Sequence, residues 1–135
     1  MLTVLEKVDL LQHVRVFREI PIESLARVAS IAQEIEFENR QLLFEEDEAA
    51  EAMFVLLKGE VALTRLNREE RRLGELQAVG ELNLFAERGQ TETARATKPT
   101  VALKISRDDL HQSMAEDMNI TRGVMRALVR MIPNT

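Results

Sequence analysis

The sequence predicts an α+β domain in which helices at both ends of the chain enclose roughly seven or eight short strands. Two observations carry this. Apolar residues recur at helical spacing near the N-terminus, alternate with polar ones from about residue 34 to 105, and return to helical spacing after Ser106. The alternating segments are short and broken at close intervals, the pattern of a sandwich, roll or barrel. The length of 135 residues fits one compact domain, and a chain of that size buries roughly 68% of its unfolded surface without help from a metal or disulfide.

Each element follows from its pattern. Val4, Val8 and Leu11, with Leu5 beside them, predict an amphipathic helix over residues 2–12. Leu25, Val28, Ala29 and Ala32 predict a second over 22–33, opened by Pro21 at the first helical position, where a missing N–H costs nothing. Ile35 and Phe37 alternate with glutamates, Leu42-Leu43-Phe44 is a short apolar run, and Ala52 to Leu57 reads as a strand buried on both faces. Gly59 breaks that run before Val61 and Leu63 resume it; Asn67 to Glu70 reads as a hairpin tip, with Leu73, Leu76 and Val79 on the return. Glu81 to Phe85 suits a one-turn helix, and residues 92–97 and 101–105 complete the β region. Ser106-Arg107-Asp108-Asp109 resembles a helix-opening box ahead of Leu110 and Met114, and Ile120, Val124, Ala127, Leu128 and Met131 define a last helix over 118–131, stopped by Pro133.

Composition narrows the function. With 45% hydrophobic and 30% charged residues the chain is globular, and its net charge of −5 argues against nucleic acid as a direct partner, which needs clustered Lys and Arg. The cluster Arg68, Arg71, Arg72 is interleaved by Glu69 and Glu70 and reads as surface. No cysteine is present, which excludes thiolate chemistry and fits a reducing cytoplasm. No apolar run approaches the roughly 20 residues of a membrane helix, so no membrane insertion is expected. His13 and His111 lie in or beside helices, away from any nucleophile, and no histidine falls in a strand, so neither catalysis nor a metal-binding roll is expected. Glu45-Glu46-Asp47-Glu48 lacks the alternating ligands and central Gly of a calcium loop and reads as a solvated turn.

One segment differs. Gly80-Glu81-Leu82-Asn83-Leu84-Phe85, then Ala86 to Gln90, then Thr91 to Ala96, is a strand–glycine–helix turn–loop–strand unit. Its short helix would aim backbone N–H groups at whatever precedes it, Gly80 would let that backbone come close, and Glu81 could accept a ligand hydroxyl. The same residues also suit a plain structural role, with Gly80 capping the helix and Glu81 complementing its dipole.

The segment resembles the phosphate-binding cassette of cyclic nucleotide-binding domains, the family of the catabolite activator protein and protein kinase A regulatory subunits. Leu42 to Asp47 and Met53 to Val61 are similar to further signatures of that family, and the likeness covers almost the whole chain. It implies an eight-stranded antiparallel β-roll, jelly-roll-like, flanked by N-terminal helices and two C-terminal helices. It also implies a single domain over 1–135: N-terminal helices to 33, a roll over 34–105 with the cassette at 80–96, and C-terminal helices over 106–132. The family's ribose-binding Glu falls on Glu81 and its phosphate-binding Arg on Gln90. Thr91 stands where the family has Ser, Thr or Ala, Glu92 where a small Ala is usual, and Asp47 where it has a turn Gly.

The resemblance therefore implies a regulatory, non-enzymatic module whose ligand is a cyclic nucleotide, cAMP or cGMP, held by Gly80, Glu81, Leu82, Asn83, Gln90 and Thr91, with Arg88 or Arg95 as a substitute cation. Gln donates one neutral hydrogen bond where Arg grips phosphate with a charged fork. Loss of the Arg is worth roughly 10² to 10⁴ in affinity. An attached effector domain or partner protein would read the ligand, and no helix-turn-helix follows Pro133, which reads as a fragment of a longer protein. The alternative is a non-binding copy used for protein interaction or as a homodimer through the C-terminal helix, with Val124, Leu128 and Met131 as the contact face.

Overall fold

A computed structural model describes residues 1–133. Two helices open the chain, α1 (Val4–Leu11) and α2 (Ile22–Ile31). Eight strands follow: β1 (Gln33–Phe37), β2 (Leu42–Phe44), β3 (Ala52–Lys58), β4 (Val61–Arg65), β5 (Arg68–Leu73), β6 (Ala78–Val79), β7 (Thr93–Ala96) and β8 (Thr100–Ser106). The short helix α3 (Glu81–Ala86) lies between β6 and β7, and α4 (Arg107–Glu116) and α5 (Met118–Arg130) complete the order. The chain divides into two compact units, the strand region from Gln33 to Arg107 and the helical residues that precede and follow it in sequence.

The strand region is two four-stranded sheets, ordered β1-β8-β3-β6 and β2-β7-β4-β5, and the paired strands are antiparallel. This is the eight-stranded roll that the resemblance implies. Ala52 to Leu56 of β3 are all buried, so that strand is covered on both faces, as its unbroken apolar run predicts. Aromatic rings mark the centre of the core. Phe54 meets Phe37 edge to face at 5.7 Å and stacks on Phe44 at 6.4 Å, joining β3 to a strand of each sheet. Leu56, Val61, Leu63 and Val79 fill the space around them.

In the helical unit, α2 packs against α1 and α5. Thr3 and Glu6 form a reciprocal capping box at the start of α1, which keeps its orphan N–H groups satisfied. Asp117 caps α5 by accepting from the Asn119 N–H.

Three expectations need correction. Pro21 is the N-cap of α2 and not its first helical residue; its ψ of 148° is extended, and the helix begins at Ile22. The hairpin turns earlier than Asn67 to Glu70. Arg65 pairs with Arg68, leaving Leu66 (φ 52°) and Asn67 (φ 64°) as a two-residue turn. Positive φ at both central residues is what the right-handed twist of a tight hairpin demands, and Leu is a poor advertisement for it. Finally, Val124 is 2% exposed and belongs to the inner face of α5 with Ile120 and Ala127, while Leu128 and Met131 are half-buried. The exposed apolar row is instead Met118, Met125, Val129 and Ile132.

Candidate ligand-binding site

Gly80 ends the β6 segment with φ 83°, a left-handed turn that suits glycine, and swings the chain directly into α3. A Cβ at this position would sit 3.2 Å from Phe44 Cε2 and 3.4 Å from Gln90 Nε2, so glycine also keeps the backbone close to the core ring and to the following loop. The N–H groups of Leu82 and Asn83 lie in the first turn of α3, where no earlier helical carbonyl can receive them. At the other end Glu87 adopts φ 54° and donates its N–H to the Asn83 and Leu84 carbonyls. That reversal turns the chain back over the helix and brings residues 88–91 alongside its first turn.

Asn83 is the hub of the resulting cluster. Its side chain is buried, at 8% exposure. Its Oδ1 accepts from Arg88 Nε at 2.7 Å, while its Nδ2 donates to Gln90 Oε1 at 3.1 Å and to Thr91 Oγ1 at 3.3 Å. The acidic turn before β3 holds the loop from its other side. Asp47 donates its N–H to the Gln90 carbonyl and Glu48 accepts from the Gln90 N–H, both at 2.8 Å, and Ala49 bridges to Gly89. Asp47 sits at φ 70°, the left-handed conformation of the glycine it stands in for. The turn read as merely solvated is thus also a backbone clamp on the loop.

A cavity of about 190 Å³ opens here. Gly80, Glu81, Leu82, Asn83, Arg88 and Thr91 line it, so six of the residues singled out in the sequence meet at one place. Gln90 joins their hydrogen-bond cluster but not the cavity wall. It is 3% exposed, with its amide oxygen turned to Asn83. Arg95 does not line the cavity; its Nη1 donates to the Arg40 carbonyl at 2.6 Å.

Sequence reasoning missed the floor and one wall. Phe44, Leu63, Leu73 and Val79 give the cavity an apolar base, and Arg71 and Glu92 face each other across 3.7 Å at its rim. The sequence reads Arg71 as part of a surface cluster, and the structure places it on the cavity. The period of two carries a signal for it: Arg71 has the strand parity of Leu73, and both line the cavity with Leu63, the partner of Arg71 on β4. Glu92, with only 14% of its side chain exposed, puts a carboxylate on the wall where a methyl group was the expected occupant.

Among curated proteins, the chain is 22% identical over 132 residues to the CRP-like cAMP-activated global transcriptional regulator of Mycobacterium tuberculosis (strain CDC 1551 / Oshkosh), covering 94% of this chain and 59% of that protein. The chain thus spans less than two thirds of that relative. Among solved structures, the N-terminal domain of a transcriptional regulator from Streptomyces coelicolor A3(2) superposes with a TM-score of 0.81 at 24% identity, covering 90% of this chain and 91% of that one. The regulatory domain of Toxoplasma gondii PKA, solved with cAMP, gives 0.77 at 20% identity over 81% of this chain and 43% of that one. The two structural likenesses are of fold. The sequence profile of the cyclic nucleotide-binding domain, however, matches residues 34–117, from the first strand of the roll to the cap of α5, and on that match the chain belongs to the cyclic nucleotide-binding domain family.

Proposed function

We propose that residues 1–135 act as one ligand-sensing regulatory domain, not an enzyme, whose cavity takes a ligand of the cyclic nucleotide class with weakened affinity. The observation that carries this reading is the disposition of Gln90: buried, neutral, and engaged with Asn83 rather than lining the cavity. Glu81 supplies the acceptor for a ligand hydroxyl, and Thr91 and the first-turn N–H groups of α3 supply neutral donors. A charged, forked donor is worth about twice a neutral one, so a phosphate here is held by the weaker set. The two PKA- and CRP-type relatives lend support, being named for cAMP. Ligand binding would then bias the equilibrium of the C-terminal helices, which an attached effector domain or partner protein reads.

Calorimetry with cAMP and cGMP tests this against Gln90→Arg. The expected result is a weak wild-type isotherm and a gain of at least about tenfold in the variant, the lower end of what a charged hydrogen bond contributes. Tight wild-type binding with no gain in the variant would refute the assignment of Gln90.

A second reading rests on a separate observation. Met118, Met125 and Val129 on α5, and Ile132 just beyond its end, are each more than half exposed, an apolar row at near-heptad spacing that suits a homodimer seam. Sedimentation at high protein concentration tests it, and a strictly monomeric chain would count against it.

A further inference from the structure

We infer that the free edge of β1 is a docking site for an extended, basic segment of a partner protein, which joins the sheet as a further strand and seats an apolar side chain in the cavity beside it. β1 is an outer strand of its sheet, paired with β8 on one side only. Hydrogen-bond parity identifies its unspent backbone groups. Leu56 of β3 donates its N–H to the Gln77 carbonyl, and its own carbonyl accepts from Leu76, so it faces away from Ala102 of β8, its partner in register. Ala102 then bonds toward Ile35 of β1, and the next residue, Glu36, aims its N–H and carbonyl out of the sheet. Glu36 is exposed, and neither group has a hydrogen-bond partner among the described residues. Backbone groups left open in this way are a template for strand addition.

Beside that edge lies a cavity of about 490 Å³, separate from the ligand cavity, with Glu36, Phe37, Glu38, Lys58, Pro99 and Val101 in its lining. Phe37, Pro99 and Val101 give it the apolar surface that an inserted aliphatic side chain needs. Its charge fixes the partner. Glu34 and Glu36 alternate with Ile35 and Phe37, which pack on the core, and Glu38 continues the acidic row. Neither the Glu36 nor the Glu38 carboxylate has an ion-pair partner among the described residues. Lys58 is the one cation among the described residues of the lining, which is therefore acidic on balance. A second copy of β1 laid along this edge would set glutamate against glutamate in any register that keeps its apolar residues inward, and like charges directly opposite are destabilising. A strand with Lys or Arg at alternate positions meets the same row favourably. The glutamates that guard the edge against copies of itself thus select a basic strand.

A capped, fluorescently labelled peptide of about seven residues alternating lysine with valine, titrated into the full chain and followed by anisotropy, tests the inference against the same peptide with glutamate in place of lysine. The lysine peptide should bind and the glutamate peptide should not. Nuclear magnetic resonance should show the Glu36 amide protected from hydrogen exchange only when the lysine peptide is present. N-methylation of the peptide's alternate amides, which removes the donors it turns to β1, should weaken binding about two- to tenfold for each bond lost. Glu36→Gln combined with Glu38→Gln should weaken it about two- to fivefold per charge, and added salt should affect wild type more than the double variant. Both residues are exposed, so the double variant should keep the wild-type melting temperature, which checks its fold. If the two peptides bind alike, if the Glu36 amide stays unprotected with the lysine peptide bound, or if the lysine peptide does not bind, the inference fails. The ligand-sensing reading survives each of these outcomes, because the two cavities share no lining residue.

Discussion

The two positive-φ glycines of the roll should respond very differently to the same added methyl group. Gly59, between β3 and β4, has φ 102°, and a Cβ there would lie 2.7 Å from both the Pro99 carbonyl oxygen and Thr100 Cα, besides overlapping the Thr100 hydroxyl. Two of those three neighbours are backbone and cannot rotate away. Thr100 is 1% exposed, and its hydroxyl donates to the Lys98 carbonyl at 2.8 Å while accepting from the Glu60 N–H at 3.2 Å. Gly80 has φ 83°, yet its Cβ would come no closer than 3.2 Å to anything, and that neighbour is a ring edge of Phe44 that can tilt.

For Gly80→Ala the cost is then essentially the left-handed backbone, about 1–2 kcal/mol. Gly59→Ala adds overpacking of about 1–3 kcal/mol and a displaced hydrogen bond of about 1 kcal/mol, for roughly 3–6 kcal/mol in all, a large share of a typical 5–15 kcal/mol total. Urea unfolding followed by far-ultraviolet circular dichroism measures both. With a slope of about 2 kcal/mol/M, the midpoint should fall by about 0.5–1 M for Gly80→Ala and by about 1.5–3 M for Gly59→Ala. Equal shifts, or a larger one at Gly80, would refute the claim that steric contact with backbone, and not φ alone, decides the cost. Gly80→Ala should in addition weaken ligand binding, because it moves the first turn of α3.

Two further outcomes follow from local chemistry. Replacing the turn Leu66-Asn67 by Asn-Gly supplies residues that accept positive φ at both central positions; Leu66 is 78% exposed, so little packing is lost, and thermal melts should show a gain of about 1 kcal/mol. The Glu60 carboxylate is held below its ordinary range by the Thr97 hydroxyl first and by Arg72 second. Because the folded state prefers the ionised form, its contribution is fully present above the unfolded value of about 4.3 and is lost as pH falls through the lower folded value; urea midpoints of wild type and Glu60→Gln should differ at neutral pH and converge as the solution is acidified below that range, and a constant gap would exclude this assignment.

Much of the fold was legible because period and breaker residues report local conformation directly. The change from helical to alternating spacing marked the start of the strands near residue 34, and the structure begins β1 at Gln33. The glycine-led helix, expected over 81–85 and found over Glu81–Ala86, was equally readable from its breaker residue, and the left-handed Asp47 followed from the resemblance, where it stands for a turn glycine. What was not legible depends on partners distant in sequence. α5 carries apolar residues on more than one face, so its sequence alone did not say that Ile120, Val124 and Ala127 turn inward while Met125 and Val129 remain exposed. Arg71 shares the strand parity of buried Leu73, but the cavity it lines is assembled from β4, β2 and α3, which its own segment does not reveal. The side chain of Gln90 was expected against the ligand; Asn83 draws it to the neighbouring hydrogen-bond cluster instead.

That last point bears on how the domain would signal. An arginine buried among these groups would be an unanswered charge, costing several kcal/mol until an anion neutralised it, and the domain's stability would then depend strongly on ligand. Here the buried cluster answers itself: Asn83 serves Gln90, Thr91 and Arg88 at once, and among the described residues no buried side-chain nitrogen or oxygen lacks a partner. A ligand can shift an equilibrium only by the difference in its affinity for the two states. On the reading proposed above, a self-satisfied, neutral cluster would leave that difference to the groups on the cavity wall, so the switch would be shallow even at saturating ligand. Melting temperatures should accordingly rise only slightly on adding millimolar cAMP to wild type and much more in Gln90→Arg, where the ligand must also settle a buried charge.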